Sequence, residues 1–199
     1  MVNYMFLPTN SHGNQCFTME LKVFYFNPYR ECTYLLYDEQ GRTLVIDAGM
    51  STDREQQRFA EFITSHHLTP VALLITHTHP DHVCGVPFVE QTYHLTATIA
   101  PAEGKLQIPQ LPDLQIFAIS TPGHKEDSVC YYLPDLHILF TGDTLFQESI
   151  GRTDLPGGDM ATLIRSLRKL TILPDDTDIY PGHGYPTTIA HEKQCNPYL

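Results

Sequence analysis

The sequence predicts a layered α/β protein, with many strands and fewer helices, on three observations. Short apolar runs of strand length recur along the chain, two segments carry helical periodicity with capping signals, and Gly-containing turns punctuate the runs. Leu21–Phe26, Thr33–Tyr37 and Thr43–Asp47 read as early strands, with Asp38-Glu39-Gln40-Gly41 turning the chain between the last two. Thr52-x-x-Glu55 is a capping box that opens a helix running to about His67, and Phe59, Phe62 and Ile63 fall on its buried face. The apolar run Val71–Ile75 reads as the next strand, followed by Leu114–Ile119, Leu136–Phe140 and Thr177–Tyr180. Met160–Leu170 repeats the helical signature, capped by Asp159 and ended before Pro174.

The chemistry lies just past the ends of four of these runs. Val71–Ile75 leads into Thr76-His77-Thr78-His79-Pro80-Asp81-His82, an H-x-H-x-D-H run with four potential metal ligands in six residues. Leu114–Ile119 leads through Ser-Thr-Pro-Gly to His124, Leu136–Phe140 through Thr-Gly to Asp143, and Thr177–Tyr180 through Pro-Gly to His183. Four strand ends thus offer seven donors: His77, His79, Asp81, His82, His124, Asp143 and His183. Donors placed just past several strand ends can converge on one point, and a glycine before each of the three later ones lets the backbone turn tightly. The other histidines (His12, His66, His67, His94, His137 and His191) stand in no such context and are expected to be surface or structural.

Composition narrows the function classes. A single domain spanning residues 1–199 is expected, because 42% hydrophobic content supplies a sizeable core and no linker, charge block or repeat divides the chain. Twelve Lys+Arg against 23 Asp+Glu, a formal charge of −11, leave no basic face for phosphates, so a nucleic-acid partner and a nuclease activity are not expected. Met1–Asn10 lacks a basic start followed by an apolar core, and no run approaches transmembrane length, which predicts a cytoplasmic protein with no membrane partner. The five cysteines (Cys16, Cys32, Cys84, Cys130 and Cys195) include no C-x-x-C pair and are expected as reduced apolar or turn residues. There is no G-x-S-x-G and no recognisable catalytic cysteine motif.

The donor set resembles that of the metallo-β-lactamase superfamily. Gly142-Asp143-Thr144-Leu145-Phe146 followed by Ser149-Ile150-Gly151-Arg152-Thr153-Asp154 is similar to its glyoxalase II-like branch, as are Asn27-Pro28, Ile46-Asp47-Ala48-Gly49 and Asn196-Pro197-Tyr198-Leu199. The resemblance implies an αβ/βα sandwich of two packed β-sheets with helices on the outer faces. It implies two divalent metal ions, zinc first and iron or manganese as the alternatives, since nitrogen and oxygen donors accept all three. One ion would be held by His77, His79 and His124 and the other by Asp81, His82 and His183, with Asp143 bridging; Asp81 would orient a metal-bridging hydroxide.

That chemistry suits a thioester. A thiolate, with a pKa near ~8.5, departs without strong acid assistance, whereas an amine or alkoxide needs a proton. The resemblance implies hydrolysis of an S-lactoylglutathione-like, small-molecule thioester, with Arg152 and Tyr185 in the substrate pocket. Arg152 alternatively pairs with Asp154 or Asp159 to stiffen its loop, and Tyr185 alternatively packs. Glyoxalase II proper carries a further helical domain that grips glutathione, and none is expected here because the chain stops at Leu199. Other readings are a mononuclear iron persulfide dioxygenase using His77, His124 and Asp143, whose family loop has a cysteine where this chain has Ser149-Ile150-Gly151, and a non-catalytic scaffold, which would show lost donors. A β-lactamase is set aside because its second site usually lacks the bridging aspartate. Oligomeric state has no signal in the sequence.

Overall fold

The computed structural model describes residues 5–8, 18–100 and 103–199; His12 and Cys16 lie outside them. The chain forms two compact units. The first takes in the described residues up to Ile75 together with His79–Thr98 and Gln107–Leu114, the second Thr76–Thr78, the described residues between Ile99 and Leu106, and Gln115–Leu199.

The first unit is built on a six-stranded sheet in sequential order. β1 (Met5–Pro8), β2 (Thr18–Phe26), β3 (Glu31–Asp38) and β4 (Arg42–Ile46) run antiparallel, one to the next. β3 is buried at every position, so the alternation expected of a half-exposed strand is absent and even Glu31 and Thr33 face the interior. α1 (Asp53–Ser65) crosses back to β5 (Thr69–Leu74), which lies parallel to β4, as a parallel pair requires. The Thr52–Glu55 capping box is present, and Phe59 and Ile63 are buried, with Phe59 tilted against Phe24 and Phe26. The helix stops at Ser65 rather than His67, because His66 caps it and His67 turns left-handed at φ 55°. Pro70 has no N–H to give the sheet, and the register shifts there: Thr43 faces Pro70 while Leu44 faces Ala72. α2 (Pro80–Val83) and α3 (Val86–Tyr93) lead to the short edge strand β6 (Ala97–Thr98).

The second unit holds β7 (Gly104–Leu106), β8 (Ile116–Ser120), β9 (Val129–Leu133) and β10 (Ile138–Gly142), each antiparallel to the next. A small hairpin, β11 (Leu145–Phe146) with β12 (Ser149–Ile150), comes after them. α4 (Met160–Leu170) then carries the chain to β13 (Asp178–Pro181), parallel to β10, and β14 (Thr187–Thr188) leads into α5 (Ile189–Cys195). Leu163, Leu167 and Leu170 of α4 pack with Leu139, Ile179 and Cys130 in this unit's core. Two expected strands begin two residues later than their apolar runs. Leu114 is held in a turn by its N–H to the Leu111 carbonyl, and Pro134–Leu136 forms a 3-10 turn ended by His137 at φ 53°. Among the described residues no helix is long and apolar enough to cross a membrane.

Candidate metal centre

All seven sequence-predicted donors sit where chain leaves a strand. His77 comes after β5 and is fully buried; His79 is the N-cap of α2, with Pro80 in the first turn, where its missing N–H costs nothing. That single helical turn brings Asp81 and His82 together, with His82 Nε2 3.9 Å from Asp81 Oδ2. His124 comes after β8, Asp143 after β10 and His183 after β13. The expected glycine turns exist before two of the three later donors, with Gly123 at φ 139° and Gly142 at φ 48°. For His183 the left-handed glycine is Gly184, on the far side of the donor.

The donor atoms cluster in threes, each set lying within 4.8 Å: His77 with His79 and His124, Asp81 with His82 and His183, and Asp143 with His77 and His82. Asp143 therefore groups with one member of each histidine-rich trio, the placement a bridging carboxylate needs. Its Oδ2 lies 3.5 Å from His124 Nε2 and 3.6 Å from His183 Nε2. Neutral imidazole nitrogen with carboxylate oxygen and no thiolate is a donor set that fits borderline and hard divalent ions.

Two histidines are locked by partners on their far side. His124 Nδ1 donates to the Arg152 carbonyl at 2.8 Å, and His82 Nδ1 lies 2.8 Å from Asp47 Oδ2; both leave Nε2 to face the cluster. Gly151 makes the first contact feasible, since a Cβ there would sit 1.8 Å from the Asp143 carbonyl oxygen and 3.0 Å from His124 Cβ. The loops bearing His77 and His124 are also laced by their neighbours. Thr78 Oγ1 donates to Asp127 Oδ2 at 2.5 Å, and Lys125 Nζ donates to Thr78 and Asp127. Burial works against the Asp127 charge, yet these donors hold its carboxyl below the usual range.

Sequence reasoning assigned no role to two buried acids behind the cluster. Asp47 follows β4 at φ 58°, and the rule that found the other donors, a strand run ending in a ligand type, would have flagged it. Glu31 groups with Asp47 and His82, all three buried. Burial foremost, with Asp47 adding to it, pushes the Glu31 carboxyl well above the usual range against the pull of His82 and the Thr33 hydroxyl. A charged residue inside a β-strand gives no local sign of such a position.

The predicted substrate residues are exposed. Arg152 forms a two-pronged ion pair with Asp154, Nε to Oδ1 at 2.7 Å and Nη2 to Oδ2 at 2.6 Å, while Asp159 instead caps α4. Tyr185 is 75% exposed on the loop after His183. Of the other histidines, His66, His67, His94 and His137 are exposed, and His191 meets Glu148 at 2.9 Å. Cys32, Cys84, Cys130 and Cys195 are free thiols.

Comparison with known proteins places this geometry in a family. The model of the metallo-beta-lactamase superfamily matches residues 29–118 and 111–183. The hydroxyacylglutathione hydrolase GloC of Haemophilus influenzae is 31% identical, with 91% of this chain and 98% of that protein covered. Among solved structures, the B3 metallo-beta-lactamase BLEG-1 matches with a TM-score of 0.81 at 31% identity, over 90% of this chain and 99% of that one. ETHE1 from Myxococcus xanthus matches with a TM-score of 0.77 at 29% identity, over 89% and 83%. The chain belongs to the metallo-beta-lactamase superfamily. Its fold is the mixed α/β architecture of two sheets and helices expected from the sequence, and the family implies divalent metal binding by the His/Asp clusters.

Proposed function

We propose that this protein is a metal-dependent hydrolase that cleaves hydroxyacyl thioesters of the S-lactoylglutathione kind, with two divalent ions at the site. The observation that carries the reading is the pair of complete donor trios joined through Asp143. The likeness to a hydroxyacylglutathione hydrolase over 98% of that protein supports the substrate class.

Two ions, when bound, would supply Lewis-acid activation of water and of the substrate carbonyl. His77, His79 and His124 would hold one and Asp81, His82 and His183 the other, with Asp143 shared. Asp81, on the half-buried face of α2, orients the attacking water. His124 and His82 keep fixed tautomers because the Arg152 carbonyl and the Asp47 carboxylate occupy their Nδ1 atoms. No side chain has to protonate the leaving group, since a thiolate departs unaided. Arg152 is available to an anionic thiol because its bond to Asp154 is solvent-exposed and therefore weak. Tyr185 offers an exposed ring and hydroxyl in the same role. Zinc as the metal, a small-molecule substrate and a cytoplasmic location belong to the same proposal.

Metal analysis of protein purified without added metal, combined with a panel of thioesters, tests it. The expected result is about two ions per chain and hydrolysis of lactoyl thioesters, with Arg152→Ala raising KM for glutathione thioesters more than it lowers kcat. A second reading has a specific geometry in its favour: His124 lies 3.5 Å from Asp143 and its ring 5.0 Å from that of His77, a two-histidine, one-carboxylate arrangement suited to one iron. One tightly bound iron, oxygen consumption with glutathione persulfide and no thioester hydrolysis would establish that reading and overturn the first.

A further inference from the structure

Helix α2 carries two of the seven donors on four residues, and a single turn does not hold its own shape in water. Its geometry is set by what its carbonyls meet. The Pro80 carbonyl accepts from Cys84 N at 2.9 Å and closes the turn. The Asp81 carbonyl accepts from Asn27 Nδ2 at 2.9 Å, and the His82 carbonyl from Ala48 N at 2.9 Å.

Asn27 comes from the turn between β2 and β3, more than fifty residues earlier in the chain. Its carboxamide nitrogen has two hydrogens to give. One goes to Asp81 and the other to the Gly49 carbonyl at 2.9 Å. Its remaining polar atoms are occupied as well. The backbone N–H donates to Glu55 Oε1 at 2.7 Å, Oδ1 accepts from Tyr29 N at 3.0 Å, and the backbone carbonyl accepts from Arg30 N at 3.2 Å. The residue sits at φ 51°, a conformation that asparagine tolerates better than most non-glycine residues. Gly49 completes the arrangement, because a Cβ there would lie 2.5 Å from the Asp81 carbonyl oxygen and 2.0 Å from Glu31 Oε2.

From this we infer that Asn27 is a positioning residue for the metal position assigned to Asp81, His82 and His183. Its amide pins the carbonyl of Asp81, the peptide unit that links Asp81 to His82, and so sets the aim of both side chains. The inference rests on the two-ion reading above. It implies that the position held by His77, His79 and His124 is far less sensitive to Asn27.

The test uses Asn27→Gly, which keeps the left-handed backbone and removes the amide, and Asn27→Asp, which keeps the acceptor for Tyr29 N but removes the paired donors. Zinc affinities are measured by competition with a chromophoric chelator, alongside the melting temperature of metal-free protein. Wild type is expected to show two sites. Each variant should keep one at wild-type affinity and weaken the other by about 10–100-fold, with the metal-free melting temperature little changed. Unchanged affinities at both sites in both variants would overturn the inference. So would equal weakening of both sites with a lowered metal-free melting temperature, which would mean that Asn27 acts through the fold at large. A single zinc site in wild-type protein would instead bring down the two-ion reading, and this inference with it.

Discussion

Asp143 is the side chain proposed to serve both metal positions. Its carboxylate groups with His77 and His82 and lies within 3.6 Å of His124 and His183. Asp143→Ala should therefore weaken metal at both positions, whereas His183→Ala removes a donor from one trio only. Metal stoichiometry measured on the two variants checks this, and equal loss in both would count against a bridging role. The free thiols give a second expectation. Burial pushes the Cys130 thiol up to about 11, so at pH 8 roughly one part in a thousand is thiolate, and a thiol reagent should find Cys130 only after unfolding. Cys84 and Cys195 are exposed and should react in the native protein, which mass spectrometry of alkylated peptides reads directly. The seven donors are legible in the sequence because each stands where an apolar run gives way to a polar turn, a signal contained in a few residues. Glu31 is not, since its burial depends on Thr33, Gly49 and Asp47 folding around it.

At the level of elements, legibility depends on how local the cause is. α4 can be read to both ends because its start and stop are written into it: Asp159 Oδ1 accepts from Thr162 N at 2.7 Å, and three leucines at helical spacing face the core. Asp159→Ala should lower stability through the loss of this cap, with little change in metal affinity; a fall in the urea midpoint measures the first. β9, Val129–Leu133, escapes a reading of the sequence although its residues are apolar and aromatic, because nothing local marks its partners β8 and β10. α2 is hidden by the ligand run itself, where histidines and a proline give no helical period, and α3 by its eight-residue length with a proline in the first turn. β10 starts at Ile138 because a proline-led turn takes the first residues of its apolar run.

For the molecule as a whole, metal and fold are linked. Ions that bind the folded chain at about 100 times their Kd would add ~2.7 kcal/mol each, which for a chain of this length is roughly 5–10 °C in melting temperature. Removing metal with a chelator should lower the melting temperature by that order, and adding zinc back should restore it. Acid should act in the same direction as the chelator. Imidazole donors must be neutral to bind, so as pH falls towards about 5 protons compete with metal, and both metal content and activity should drop together. A rate that stays flat over that interval would exclude a centre held mainly by histidine.

The contiguity of His77, His79, Asp81 and His82 reaches beyond the native state. Four of the seven donors occupy six consecutive residues, so the denatured chain is already a chelating peptide. Any affinity of the unfolded ensemble for metal subtracts from the stabilisation that native binding provides. The melting-temperature gain on adding zinc should therefore fall short of the value calculated from native affinity alone. The deficit measures how tightly that hexapeptide grips an ion without the rest of the fold. An ion captured there would travel with the chain through unfolding and be on hand when it refolds.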